Sequence, residues 1–262
     1  MATSRFGSSF PGMDLLRLGI VQYSPTWCDP ASSLESLERL LVDAPATDLL
    51  VLPEMSFTGF TMDPSMATLP SSVLERLSAI ARERRTGIVY GAVEDGRNRA
   101  VLLDREGRRS GTYDKRHLFS LGGEPRHYRP GGPPSDWIFE DWRIRPAICY
   151  DLRFPYHFWT EAGSYDLILV PACWPSSREQ HWKTLLTARA IENQAWVAGV
   201  NRLGDEPRLS YWGASRVVSP LGIPILETDS REGVHLAQIL RSEVVSTRTR
   251  YPFLQDRIEP PT

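Results

Sequence analysis

Lysine is almost missing from this chain. Of 30 basic residues among 262, only Lys115 and Lys183 are lysines; every other cation is an arginine. An ammonium is a compact point charge where a guanidinium is a planar fork, so each retained lysine invites a question. Lys183 falls on an expected helix surface, which leaves Lys115. Cysteine is scarce as well: Cys28, Cys149 and Cys173 form an odd set with no CxxC spacing. That argues against a disulfide framework and fits a reducing compartment, so a cytoplasmic location is expected. Long apolar runs are absent; the longest are strand-sized, and no membrane span is expected. Charge of one sign is also lacking. The formal net charge is -2, which gives no global pull toward nucleic acid or anionic lipid.

Several chemical signatures are missing too. There is no GxxxxGK[ST] loop, no GxGxxG after a strand, no HExxH and no GxSxG, and the five histidines form no paired-ligand cluster. Phosphate-cradling loops, dinucleotide turns, zincin sites and serine elbows are thereby set aside. No cofactor and no metal is expected.

What is present is an alternation of short apolar runs and amphipathic segments. Strands are expected at 15–22, 48–53, 87–93, 143–150, 166–171 and 195–201, with two strand-like runs around the turn at 105–107. Helices are expected after Pro30, capped by Ser32 or Ser33, and over 72–85, 154–162 and 178–194. A Gly/Pro-rich loop covers 121–134, and hairpins follow through Val217, Ile223 to Ile225 and Val234 to Leu240. The tail from Ser242 shows no core pattern and is expected on the surface or against a partner subunit. Residues 1–12 are expected to be a loosely ordered extension before a single domain over 13–262. Strand–helix alternation with hairpins implies an α/β fold with a mixed sheet and helices outside.

Three polar residues each stand just beyond an apolar strand. Glu54 follows Leu50-Val51-Leu52-Pro53, Lys115 follows Thr112-Tyr113-Asp114, and Cys149 follows Arg145-Pro146-Ala147-Ile148. Open α/β sheets bind ligands beyond the carboxyl ends of their strands. Taken singly, each residue has an ordinary reading: Cys149 as a small core residue, Glu54 as a surface or capping carboxylate, Lys115 as a solvated cation.

The flanking residues change the balance. Leu52-Pro53-Glu54-Met55-Ser56-Phe57-Thr58-Gly59-Phe60, Tyr113-Asp114-Lys115-Arg116-His117-Leu118-Phe119 and Ile148-Cys149-Tyr150-Asp151-Leu152-Arg153-Phe154-Pro155 resemble, in order, the three signatures of the nitrilase (carbon–nitrogen hydrolase) superfamily. A fourth resembling block runs from Ala188 to Gln194, followed by Asn201-Arg202. The resemblance implies a four-layer αββα sandwich that often dimerises across its sheets, so a homodimer or higher homo-oligomer is expected. It also implies Cys149 as nucleophile, Glu54 as base, Lys115 as oxyanion stabiliser and, from the loop after the lysine, Glu124 as a second glutamate. True nitrilases typically carry Trp-Glu after the cysteine. Tyr150-Asp151-Leu152-Arg153-Phe154 looks instead like the ω-amidases, which hydrolyse the terminal amide of 2-oxoglutaramate-type acids. The loop from Gly122 to Tyr128 resembles their bacterial subgroup.

The chemistry implied is cysteine-dependent hydrolysis of a small-molecule amide to carboxylate and ammonia through a thioester. A free thiol is only a minor thiolate at neutral pH, so a base and a nearby cation are needed. The backbone N–H of Tyr150 joins Lys115 as the expected oxyanion donor. Trp174 either lines the pocket or packs. Arg202, Arg126 and His181 are candidates for the substrate carboxylate, with no choice among them. Arg153 and Arg189 are expected to pair with Asp151 and Glu192, and Cys28 and Cys173 to be structural. Another carbon–nitrogen substrate (an N-carbamoyl compound or an aliphatic amide) is the nearest alternative, ahead of a nitrile or a silent scaffold protein.

Overall fold

The computed structural model describes residues 13–159 and 162–258. Two six-stranded sheets carry the architecture. The first runs, edge to edge, Gly233–Leu240, Leu15–Gln22, Leu49–Val51, Gly87–Glu94, Arg97–Leu103, Arg109–Asp114. The second runs Pro224–Glu227, Arg216–Val218, Trp196–Asn201, Leu167–Ala172, Trp142–Pro146, Trp137–Phe139. Each sheet has three parallel strands at its heart and antiparallel strands outside them.

Strand alternation sorts the apolar residues into two layers. Leu16, Leu18, Ile20, Leu49, Val51, Val89 and Leu102 point inward to a core shared with the second sheet. Their neighbours Val21, Leu50, Ile88, Tyr90 and Val101 point outward to Leu37, Leu41, Val73, Leu77 and Ile80 on helices Pro30–Val42 and Ser71–Arg84. Helix Glu179–Asn193 covers the far face of the second sheet through Trp182, Leu186 and Ala190. The result is helix, sheet, sheet, helix: the expected αββα sandwich. No helix among the described residues is long and apolar enough to cross a membrane.

Several expected elements are corrected. Asp29, not Ser32 or Ser33, caps the first helix; its carboxylate accepts the Ser32 N–H at 3.1 Å and Pro30 opens the helix, an arrangement worth about 1 kcal/mol. The strand expected to reach Tyr150 stops at Pro146, and Cys149–Arg153 is a 3₁₀ turn. Proline cannot donate to the sheet, and Cys149 has φ of 45°, which extended backbone cannot accommodate. The following helix shrinks to Tyr156–Trp159, ahead of residues 160 and 161, which lie outside the described part. Strand Trp137–Phe139 was not anticipated. The tail from Ser242 is mostly exposed, as expected, but most of it is ordered as helix Arg241–Arg250, with Val244 buried in the core and Arg248 donating to the carbonyls of Gly163, Tyr165 and Asn193. The expectation for residues 1–12 falls outside the described residues.

Candidate active site

The carboxyl ends of the central strands of both sheets meet at one cavity. Glu54 follows the strand Leu49–Val51 of the first sheet, and Cys149 follows Trp142–Pro146 of the second. Cys173 and Trp174 follow Leu167–Ala172. The Glu54 turn is pinned to its neighbouring strand: Ser56 N–H donates to the Gly91 carbonyl at 3.0 Å, and Gly91 N–H donates to Ser56 Oγ at 2.8 Å. Gly91 is needed there, because a Cβ would lie 2.3 Å from Met55 N.

Glu54, Lys115 and Glu124 are essentially sealed from solvent, at 1%, 1% and 0% exposure. Lys115 Nζ donates to Glu54 Oε1 at 2.7 Å and to Glu124 Oε2 at 2.9 Å. Asn98 Nδ2 bridges the same carboxylates, 2.7 Å from Glu54 Oε1 and 2.9 Å from Glu124 Oε1. Phe119 N–H adds a bond to Glu124 Oε2 at 2.6 Å. Burial alone would push the Lys115 ammonium toward neutrality, but the charges of Glu124 and Glu54 outweigh it and raise its pKa well above the ordinary lysine value.

Cys149 opens its 3₁₀ turn in the left-handed region, so its thiol faces the cavity rather than the sheet. The Glu54 carboxylate and the Lys115 ammonium are the charges that act on it. Burial and the Glu54 charge push its pKa well above the usual thiol value, with Lys115 opposing. At rest this is a protonated thiol beside an acceptor. Asp151, two positions on, ties the turn down: its Oδ2 accepts Ile148 N–H at 3.0 Å and Tyr113 hydroxyl at 2.7 Å, and its Oδ1 accepts His117 N–H at 2.9 Å. Burial would raise this carboxyl's pKa; the hydrogen bond from His117, the charge of His157 and the Ile148 and Tyr113 bonds prevail and lower it.

The four residues expected at the chemical centre therefore meet. Tyr150 and Trp174 line the cavity, which measures about 350 Å³ including its open mouth. Arg202 does not line it: its guanidinium is committed to Glu206 and to the Leu203 carbonyl. Arg126 lines an outer cleft that shares Phe60, Phe119, Arg178 and Leu209 with the cavity. His181 sits outside as well, with Nδ1 3.3 Å from Arg153 Nη2.

Besides Lys115, the cations that line the cavity are Arg153 and Arg178. Arg153 was expected to pair with Asp151, but Asp151 is occupied by His117, Tyr113 and Ile148. The Arg153 guanidinium lies over the Trp174 ring at 4.7 Å, and that of Arg178 over Phe119 at 5.4 Å. Among the described residues no carboxylate pairs with either. Burial, then the neighbouring Arg178 charge, lower the Arg153 pKa. Arg189 does pair with Glu192, at 2.8 Å. Cys173 is more than structural filling: it lines the cavity, and its N–H donates to Glu54 Oε2 at 2.8 Å. Sequence reasoning also missed Asn98, whose one signal is a polar residue between Arg97 and Arg99 at the start of an apolar strand.

A thiol, an acceptor carboxylate and an ammonium around one cavity can deprotonate sulfur and hold negative charge on an oxygen without a metal-ligand set. The one His/Asp group close enough to hold an ion among the described residues, His117, Asp151 and His157, is the network that anchors the Cys149 turn.

Comparison with known proteins gives a consistent picture. The family model described as carbon-nitrogen hydrolase matches residues 17–249. The omega-amidase YafV of Escherichia coli K12 is 36% identical over 251 residues, spanning 93% of this chain and 97% of its own length. The 2-oxoglutaramate amidase of Paenarthrobacter nicotinovorans is 33% identical over 244 residues, spanning 86% and 83%. Among solved structures, a CN-hydrolase superfamily protein of Xanthomonas campestris, with an arsenic adduct in its active site, superposes with a TM-score of 0.87 at 36% identity. The match covers 95% of this chain and 100% of that one.

Proposed function

This chain belongs to the carbon–nitrogen hydrolase family and is a non-peptide amidohydrolase, and from that premise we propose that it is a cysteine-dependent ω-amidase. The observation that carries the reading is the sealed Glu54–Lys115–Glu124 cluster, at 2.7 and 2.9 Å, beside the Cys149 thiol.

In the proposed reaction Glu54 takes the thiol proton as Cys149 Sγ attacks the amide carbonyl carbon. The oxyanion is held by Lys115 Nζ and the Tyr150 backbone N–H; such preorganised donors are worth roughly 3–4 kcal/mol each. The intermediate collapses as Glu54 returns the proton to nitrogen, the C–N bond breaks, ammonia leaves and a thioester remains on Cys149. Glu54, with Glu124 beside Lys115, then draws a proton from water. The hydroxyl attacks the thioester, and the acid departs as sulfur regains its proton. One ammonium between two carboxylates limits the charge enclosed, so the site can stay dry.

The substrate reading rests on the omega-amidase and 2-oxoglutaramate amidase relatives and on two cavity arginines that lack a carboxylate. A small acid carrying a terminal amide, such as 2-oxoglutaramate or 2-oxosuccinamate, offers an anion to Arg153 and Arg178 and an amide to Cys149. Assembly into a homodimer belongs to the same proposal. It is supported by the exposed apolar residues Ile191, Leu221, Ile223 and Ile225 around the edge strand Pro224–Glu227.

The test is ammonia release from 2-oxoglutaramate beside glutamine, an N-carbamoyl amino acid and a simple aliphatic amide. Fast release confined to the oxo-acid amide supports the substrate class. Faster release from any of the others assigns the cavity to that substrate instead.

A further inference from the structure

We propose that Asn98 is a positioning residue that decides which oxygen of Glu54 carries the proton during catalysis. The inference rests on Glu54 being the base and goes beyond it, because a carboxylate has two oxygens and these two are differently occupied.

The two oxygens have different surroundings. Oε1 accepts Lys115 Nζ and Asn98 Nδ2, both at 2.7 Å, so its lone pairs are occupied by donors that are themselves buried. Oε2 accepts the Cys173 N–H at 2.8 Å and has capacity left for a proton. A proton on Oε1 would set an O–H against two N–H donors and leave one of them without an acceptor in a sealed site. The same proton on Oε2 displaces neither. Asn98 therefore does more than fill space: it saturates Oε1 and leaves Oε2 as the basic atom.

Three features hold Asn98 to that duty. Its side chain cannot flip, since Oδ1 would then meet acceptor oxygens of both Glu54 and Glu124. In the present orientation Oδ1 has no hydrogen-bond partner although it is buried, so the fold leaves one acceptor unpaired to keep both amide hydrogens on the carboxylates. The backbone is engaged too: the Asn98 carbonyl accepts Lys115 N–H at 2.8 Å, so one residue sets the position of the ammonium's main chain and of both acids. Finally, the amide is neutral. It orients two carboxylates without supplying a second cation that would compete with Lys115 for the oxyanion.

The test compares Asn98→Ala, Asn98→Asp and Glu54→Gln in the full chain. Turnover of 2-oxoglutaramate is read together with the pH dependence of Cys149 alkylation by iodoacetamide, which needs no knowledge of the substrate. For Asn98→Ala, kcat should fall by about 10–100-fold with KM changed less than about threefold, the pattern of an interaction that matters in the transition state. The alkylation profile should move along the pH axis. Asn98→Asp is close to isosteric and guards against a folding failure in the alanine variant. It places a third carboxylate in the cluster, so activity relative to wild type should recover as pH falls and the new carboxyl becomes a donor. If both variants keep kcat within about twofold, or lose activity only in proportion to folded protein with the pH profiles unmoved, Asn98 is merely structural and the proposal is overturned. Glu54→Gln separates the layers: wild-type turnover there removes the base itself, whereas an inactive Glu54→Gln beside unaffected Asn98 variants removes only the role given to Asn98.

Discussion

His117 Nδ1 and Asp151 Oδ1 lie 2.7 Å apart, joining the segment two residues after Lys115 to the turn two residues after Cys149. The lysine comes from the first sheet and the cysteine from the second, so this contact fixes the register of one half of the site against the other. Asp151 is fully buried and holds four donor contacts through its two oxygens.

Asp151→Asn replaces a pure acceptor by a group with two donors, one of which must face a donor already in place. We expect a loss of about 1–3 kcal/mol in stability, read by denaturant unfolding. Turnover should fall in the fraction that remains folded, because the Cys149 turn loosens relative to Lys115. Unchanged kcat with unchanged unfolding midpoint would show that the sheets hold the register alone.

In the proposed function Arg153 and Arg178 bear on substrate rather than on chemistry. Charge-assisted hydrogen bonds contribute roughly 1.5–3 kcal/mol, so Arg153→Ala or Arg178→Ala should lower kcat/KM for an oxo-acid amide by about 10–100-fold, mainly through KM. An uncharged amide should be affected far less. Equal losses for both substrates would mean that these arginines serve packing against Trp174 and Phe119.

The thiol's pH behaviour follows from its surroundings. Burial and the Glu54 charge both raise the Cys149 pKa, so the thiolate gains population only as pH rises. The rate of alkylation by iodoacetamide in wild-type protein should therefore climb from neutral into alkaline pH. Glu54→Gln removes a nearby negative charge, which favours the thiolate. Its alkylation profile should shift to lower pH even as amide turnover drops by at least about 100-fold. An unmoved profile would place Glu54 too far from the sulfur to act on it.

Gly91 sits where the neighbouring strand touches the Glu54 turn. Gly91→Ala would bring a Cβ to 2.3 Å from Met55 N and 2.9 Å from the Glu54 backbone. Relief needs movement of main chain rather than of a flexible side chain, at about 1–3 kcal/mol. Thermal unfolding should come earlier, and kcat should fall as Glu54 is displaced. A variant with wild-type kcat would show that Glu54 is held by its hydrogen bonds rather than by the turn.

The sandwich was readable because its local signals agree with its tertiary structure. Strand Leu15–Gln22 was placed to the residue, and helix Glu179–Asn193 within one position at each end. Glu54, Lys115 and Cys149 were legible as polar residues at strand ends and through flanking motifs. The 3₁₀ turn at Cys149 was hidden by an apolar run that reads as continuing strand. Pro146, the capture of the Ile148 N–H by Asp151 and the positive φ at Cys149 together end it. Arg153 and Arg178 were missed for a related reason. Which of 28 arginines lacks a carboxylate is a property of three-dimensional neighbours, and adjacency in sequence suggested the wrong partner for Arg153. Helix Arg241–Arg250 was missed because it docks largely through arginine bonds to backbone carbonyls, which leave no apolar periodicity.

The central claim is that Cys149 carries the acyl group. The most direct measurement is mass spectrometry of enzyme acid-quenched during turnover of 2-oxoglutaramate, followed by peptide mapping. The account predicts an acyl adduct on the peptide containing Cys149, absent from Cys149→Ala, which should also release no ammonia. An adduct on Cys173 instead, or sustained ammonia release by Cys149→Ala, would contradict it.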